Sequence, residues 1–107
     1  MRERWFGATG LRVPEIAVED VEVEIVDERH VRHAHTGDTI YEALLVAGVG
    51  DPAPLEEAHA AGLPVLVRAR DAGEIEAALS RPEVSCALVP RGRADLQKLD
   101  LRRLKYG

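Results

Sequence analysis

A chain of 107 residues is enough for one domain, and too short for two or for a complete eight-stranded α/β barrel. Apolar residues make up 46% and charged residues 31%, so a packed core is expected and disorder is not. The formal net charge of −5 argues against general nucleic-acid binding.

No apolar run approaches the ~20 residues of a membrane span. The opening Met1-Arg2-Glu3-Arg4-Trp5 lacks the apolar centre of a signal peptide. A cytoplasmic location with no membrane partner is therefore expected. Cys86, the single cysteine, leaves no intrachain disulfide and no cysteine zinc cluster. The chain has no Asn, one Gln and one Met, a scarcity of thermolabile side chains that thermophilic proteins share.

Charge is uneven along the sequence. Glu15 to Glu28 holds seven acids and no Arg or Lys, whereas Arg91 to Lys105 holds six bases and two acids. A solvated acidic strand face and a basic final helix account for this. Head-to-tail or two-fold self-association through the opposed patches is the sharper alternative. At this size, association is a common source of extra stability, and a homo-oligomer is expected.

Thr9-Gly10 between Trp5-Phe6 and Leu11–Val13 reads as a small hairpin. Val21-Glu22-Val23-Glu24-Ile25-Val26 alternates strictly, as a half-buried strand does. Asp27–His30 is a turn, and Val31–His35 returns antiparallel. Residues 36–49 read two ways. Thr39-x-x-Glu42 can open a helix that runs to Ala47. Alternatively, Ala43–Val49 is a buried parallel strand. The strand is favoured because Gly48-x-Gly50-Asp51-Pro52 then becomes a strand-to-helix turn. Pro54–Ala61 is a short helix with Gly62 after its end. Leu63–Arg68 is a strand, and Asp71 caps a helix to Leu79. Val84–Val89 is a buried strand, and Ala94–Leu99 a last helix before a basic tail. Strand-helix-strand-helix-strand implies parallel, right-handed crossovers. The expected fold is α/β: a small open, mostly parallel sheet of βαβα units (residues 36–107) preceded by an antiparallel hairpin region (residues 1–35), in a single domain.

The opening Arg4-Trp5-Phe6-Gly7-Ala8-Thr9-Gly10-Leu11-Arg12-Val13-Pro14-Glu15-Ile16 resembles the N-terminal hairpin of aldo-keto reductases. Leu79–Val89 with Arg93–Leu99 is similar to a late strand and helix of that family, near its cofactor phosphate. Ala61–Val67 looks like a late barrel strand. Residues 42–102 are also similar, more loosely, to late strands of indole-glycerol-phosphate synthase. The resemblance to the reductases implies pieces of a barrel scaffold. Their catalytic Asp, Tyr, Lys and His do not carry over. Asp38-Thr39-Ile40-Tyr41 echoes the family's Asp-Thr-x-x-x-Tyr pattern with two residues fewer, and the only lysines are Lys98 and Lys105. In the synthase comparison, Arg68 and Arg70 stand on the strand that should carry a catalytic Glu.

Two constellations could carry chemistry. A hairpin turning at Glu28-Arg29 would place Glu24 opposite His33 and Glu22 opposite His35. Two imidazoles and two carboxylates on one face suit a divalent metal, although exposed Glu–His pairs explain the same pattern. The second lies at the C-terminal ends of the parallel strands, where open α/β sheets bind ligands. Gly48 and Gly50 follow one strand, Arg70 the next, and Arg91-Gly92-Arg93 the last. Glycines allow close backbone approach and arginines grip phosphate. Turn glycines and arginines paired with Asp51, Asp71 and Asp95 are the structural alternative. No P-loop or dinucleotide fingerprint is present, and no cofactor is expected. Cys86 reads as core.

The leading functional expectation is a non-catalytic domain that self-associates or binds a partner. An anion- or nucleotide-phosphate-binding regulatory module is the alternative. A metal-dependent enzyme or residual oxidoreductase comes third.

Overall fold

A computed structural model describes residues 2–99 of the chain. The strands are β1 (Glu3–Trp5), β2 (Arg12–Pro14), β3 (Ile16–Val18), β4 (Val23–Asp27), β5 (His30–His33), β6 (Tyr41–Glu42), β7 (Leu44–Val46), β8 (Val65–Arg68) and β9 (Cys86–Val89). The helices are α1 (Pro52–Ala60) and α2 (Ala72–Leu79), and a 3-10 segment spans Arg91–Lys98.

The central layer is a parallel four-stranded sheet in the order β3-β9-β8-β7. It is open, and no barrel closes. Side chains alternate along its strands, so each strand feeds two cores. Ile16, Val18, Val65, Val67, Ala87 and Val89 pack with Leu55, Ile75, Leu79 and Leu96 on the helix side. Ala17, Leu66, Cys86 and Leu88 pack with Phe6, Val13, Val23 and Val31 on the other side. That second face is covered by the antiparallel sheet β4-β5-β6 and the β1-β2 hairpin. Covering both faces is what allows the near-continuous apolar runs of β8 and β9.

Local chemistry sets the helix ends. Asp51 accepts from the Ala53 N–H at 3.1 Å, with Pro52 in the first turn of α1. Asp71 accepts from the Glu74 N–H at 2.9 Å and starts α2. Gly62, at φ +79°, ends α1: its N–H donates to the His59 carbonyl, and the Leu63 N–H donates to the Ala58 carbonyl.

Residues 36–49 hold no helix: the capping box at Thr39 opens nothing, and of the expected strand Ala43–Val49 only Leu44–Val46 forms, as β7 parallel to β8. The two expected regions interleave. β3 leaves the hairpin region to pair with β9, and β6 pairs back with β5. The last helix is a 3-10 segment with non-helical backbone at Arg93 (φ −122°, ψ 36°). Its N-cap is Pro90, whose ring offers no acceptor for a capping hydrogen bond, and Leu96 is its one buried residue. The basic tail expected after Leu99 lies outside the described residues.

A buried ion pair fixes the hairpin to the starts of the parallel strands. Arg4 donates to the carbonyls of Leu79 (2.7 Å), Val84 (3.0 Å) and Arg81 (3.2 Å). Its Nε donates to Glu15 at 3.3 Å, and the other Glu15 oxygen lies 3.3 Å from Arg2. Burial pulls the Arg4 guanidinium below its ordinary range and the Glu15 charge pulls it back. Beside it, Gly7 (φ +58°) lets the hairpin meet the α1–β8 turn: a Cβ there would lie 2.6 Å from the Pro64 nitrogen and 2.7 Å from the Gly62 carbonyl.

Candidate functional site

The expected metal set is not assembled. The turn falls at Glu28-Arg29, with Asp27 opposite His30 as expected. A bulge at Val26 then shifts the register by one, so His33 faces Val23 and Glu24 faces Arg32. A one-residue slip exchanges the two faces of a strand. His33 therefore points inward and is 3% exposed. Its Nδ1 accepts from the His35 N–H at 3.1 Å, and its Nε2 lies 3.0 Å from the Arg12 carbonyl, which fixes the Nε2–H tautomer. Its ring packs edge-on against Phe6 at 5.5 Å. Glu24 pairs with Arg32 at 2.9 Å. The Glu22 carboxylate binds Gln97 and accepts from the Val18 N–H. Among the described residues, no group of three His, Cys, Asp or Glu side chains could hold a metal ion.

The strand C-termini open into a cleft of about 630 Å³ lined by Glu19, Asp20, Ala47, Arg68, Arg70 and Arg91, among others. Here Arg70 and Arg91 lie together, joined by Arg68. Arg93 reaches the Arg70 carbonyl at 3.2 Å. Gly48, Gly50 and Gly92 are not on the cleft wall. Carboxylates of the chain already take much of this polarity. Glu74 accepts from both the Arg70 backbone N–H (2.8 Å) and its guanidinium, which hold the carboxyl below its usual range. Arg93 does the same to Asp95, and Arg68 lies 3.4 Å from Glu19. Arg91 has no hydrogen bond or ion pair among the described residues.

The acidic stretch is mostly spent inside the molecule. Glu15, Glu19, Glu22, Glu24 and Asp27 all have partners in the same chain. The reductase echo is equally occupied with packing: Tyr41 stands edge-on to Phe6 at 6.0 Å. Cys86 is fully buried, and desolvation pushes its thiol up to about 12, so no nucleophile is formed. At the opposite rim, a groove of about 590 Å³ runs beside Trp5, Arg12 and His59, with the Arg12 guanidinium 5.1 Å from the Trp5 ring centre.

The feature that residue types did not mark is a sheet edge. The two edges of the parallel sheet differ. On β3, Gln97 donates to the Ile16 carbonyl at 2.8 Å, and the Val18 carbonyl takes the Val21 and Glu22 N–H groups. That edge is capped. On β7, the Leu44 N–H donates inward to the Pro64 carbonyl at 2.9 Å. Strand alternation therefore turns the N–H and C=O of Leu45 away from β8, and the trans peptide after Val46 turns the Ala47 N–H the same way. β7 has no second strand neighbour, and these groups have no partner among the described residues. No charge, proline or bulge protects them: Ala43 to Gly50 is uncharged throughout. The outer edge of β4, by contrast, carries the Val26 bulge, Glu24 and Asp27. The signal in the sequence was that uncharged run, whose position at the end of the sheet only the strand order reveals.

Comparison with known proteins finds no matching family model, no matching curated protein and no matching solved structure. No helix among the described residues is long and apolar enough to cross a membrane.

Proposed function

We propose that this chain is a non-catalytic, cytoplasmic association domain that docks an extended strand along the open edge of β7. The observation that carries this reading is the contrast between the sheet's two edges. One is capped by Gln97 and Glu22, and the other presents backbone with no partner among the described residues and with apolar flanks. Unpaired apolar edges are templates for strand addition, and proteins that do not use them blunt them. Leu44, Leu45 and Val46 are half-buried and join the two cores, so an added strand would continue layers that already exist. Titration calorimetry with an extended, uncharged peptide tests this. Binding that Ala47→Pro abolishes supports it, because proline removes only the outward N–H. Binding that survives Ala47→Pro, or is lost on changing Trp5, contradicts it.

The likeness of residues 4–16 and 79–99 to aldo-keto reductases fits a shared scaffold without shared chemistry. The hairpin is tied to the strand starts through Arg4, and β3 lies beside the last strand β9. One observation favours a second reading, an anion-binding module: Arg91, with no partner among the described residues, stands at the mouth of a cleft with Arg68 and Arg70. Phosphate or nucleotide that raises the melting temperature of the native chain, but not of Arg91→Ala, supports it.

A further inference from the structure

We infer that the strand docked on β7 is the β7 of a second copy, antiparallel about a two-fold axis at Val46. The resulting sheet has eight strands, two copies of the present four. This rests on β7 being a docking edge and adds the identity of its occupant.

The pattern of free backbone groups leads to this arrangement. The Ala43 N–H is committed to the Arg29 carbonyl at 2.8 Å, so the β4–β5 hairpin tip occupies that side and pairing can begin only after it. Among the described residues, the open groups are the N–H and C=O of Leu45 and the N–H of Ala47. In an antiparallel ladder, residues that exchange both hydrogen bonds alternate with residues that exchange none. Placing Leu45 opposite Ala47 of the other copy points each Ala47 N–H at a Leu45 carbonyl across the axis. Val46, whose backbone faces β8, meets its own copy at the non-bonded position on that axis. Donor and acceptor lie on the same strand, so the edge is complementary to its own copy.

Side chains and charge agree with this register. Val46 belongs to the helix-side core, so the two valines meet on that face, where close non-bonded pairs favour β-branched residues. Leu45 belongs to the opposite core and would lie beside the small, exposed Ala47 of the other copy. A chain of net charge −5 repels its copy over most of its surface, and Ala43–Gly50 is an uncharged window in it. Neither sheet face competes for this role, because helices cover one and β4-β5-β6 the other.

Sedimentation equilibrium of the full chain over a dilution series tests the inference. The expected mass is twice 11.7 kDa. Ala47→Pro removes one donor from each copy and should weaken dimerisation roughly 10- to 100-fold. Circular dichroism checks that this variant folds. Ala47→Lys, which keeps the backbone donor and puts a charge on the edge, should weaken dimerisation too. Trp5→Ser, at the far groove, should leave it unchanged. A wild-type chain that stays monomeric, or a dimer insensitive to both Ala47 variants, overturns the inference. A monomer whose Leu45 and Ala47 amides become protected only on adding an extended peptide overturns self-pairing and leaves the docking edge standing. A monomer that protects neither overturns both.

Discussion

Replacing Arg4 by Met keeps the aliphatic stem and removes the guanidinium, which ties three backbone carbonyls and Glu15 into one buried cluster. Breaking a buried ion pair by removing one partner costs about 3–5 kcal/mol, because the other charge stays buried. Glu15 is 1% exposed, so it cannot turn to water. Arg2 still touches its second oxygen at 3.3 Å, which offsets part of that cost. The Leu79, Arg81 and Val84 carbonyls lose a charged donor, which adds to it. The sum is about 4 kcal/mol, a large fraction of the ~5–15 kcal/mol that holds a small domain together. For a chain of this size that lowers Tm by roughly 15–30 °C. Urea titration followed by circular dichroism gives the free energy directly. Pairing Arg4→Met with Glu15→Leu should recover most of the loss, because both buried charges are then gone. A single-variant loss under about 1 kcal/mol, well below that range, or a double variant no better than the single, would refute the claim that this cluster anchors the hairpin.

Gly7→Ala should cost about 2–4 kcal/mol in the same assay, from a positive φ and a Cβ pressed on the Pro64 and Gly62 backbone. A near-neutral result would mean that the hairpin does not dock there. His33→Phe should lose about 2–4 kcal/mol by stranding the Arg12 carbonyl and the His35 N–H. Equimolar zinc should leave the wild-type Tm unchanged, and a rise of several degrees would contradict the observed register. Cys86 should resist thiol reagents until the chain unfolds. Its thiol ionises at about 12 when folded, against an ordinary 9.0. The unfolded chain therefore loses that proton first, and this stabilisation, complete below pH 9.0, is lost as the pH rises toward 12. Cys86→Ala should flatten that alkaline decline, and an unchanged slope would place its origin elsewhere.

Much of the fold is legible in the residues, because local chemistry and burial point the same way. Asp51 and Asp71 cap the helices, Gly62 ends one, and the apolar runs of β8 and β9 announce strands covered on both faces. β3 is not legible. Ile16-Ala17-Val18 looks like the tail of the hairpin, and only its pairing with Ala87–Val89, distant in sequence, makes it a sheet strand. The Val26 bulge leaves only a faint mark: alternation holds from Val21 to Ile25, and two apolar residues in succession, Ile25-Val26, stand where the ladder slips. That single slip dissolves the His/Glu set. The arginines at the strand ends are placed by the sequence, but their capture by Glu74 and Asp95 depends on side-chain geometry. The open edge hides for a different reason. Leu44–Val46 has the composition of an interior strand, and strand order alone makes it the last in its sheet.

Residue-resolved amide hydrogen exchange across a dilution series tests the central claim most directly, because β7 carries its own control. Leu44 and Val46 face β8 and should stay protected at every concentration, whereas Leu45 and Ala47 face outward. Docking of a second copy predicts that Leu45 and Ala47 are protected at high concentration and lose that protection together on dilution. Free exchange at both positions at all concentrations would contradict it.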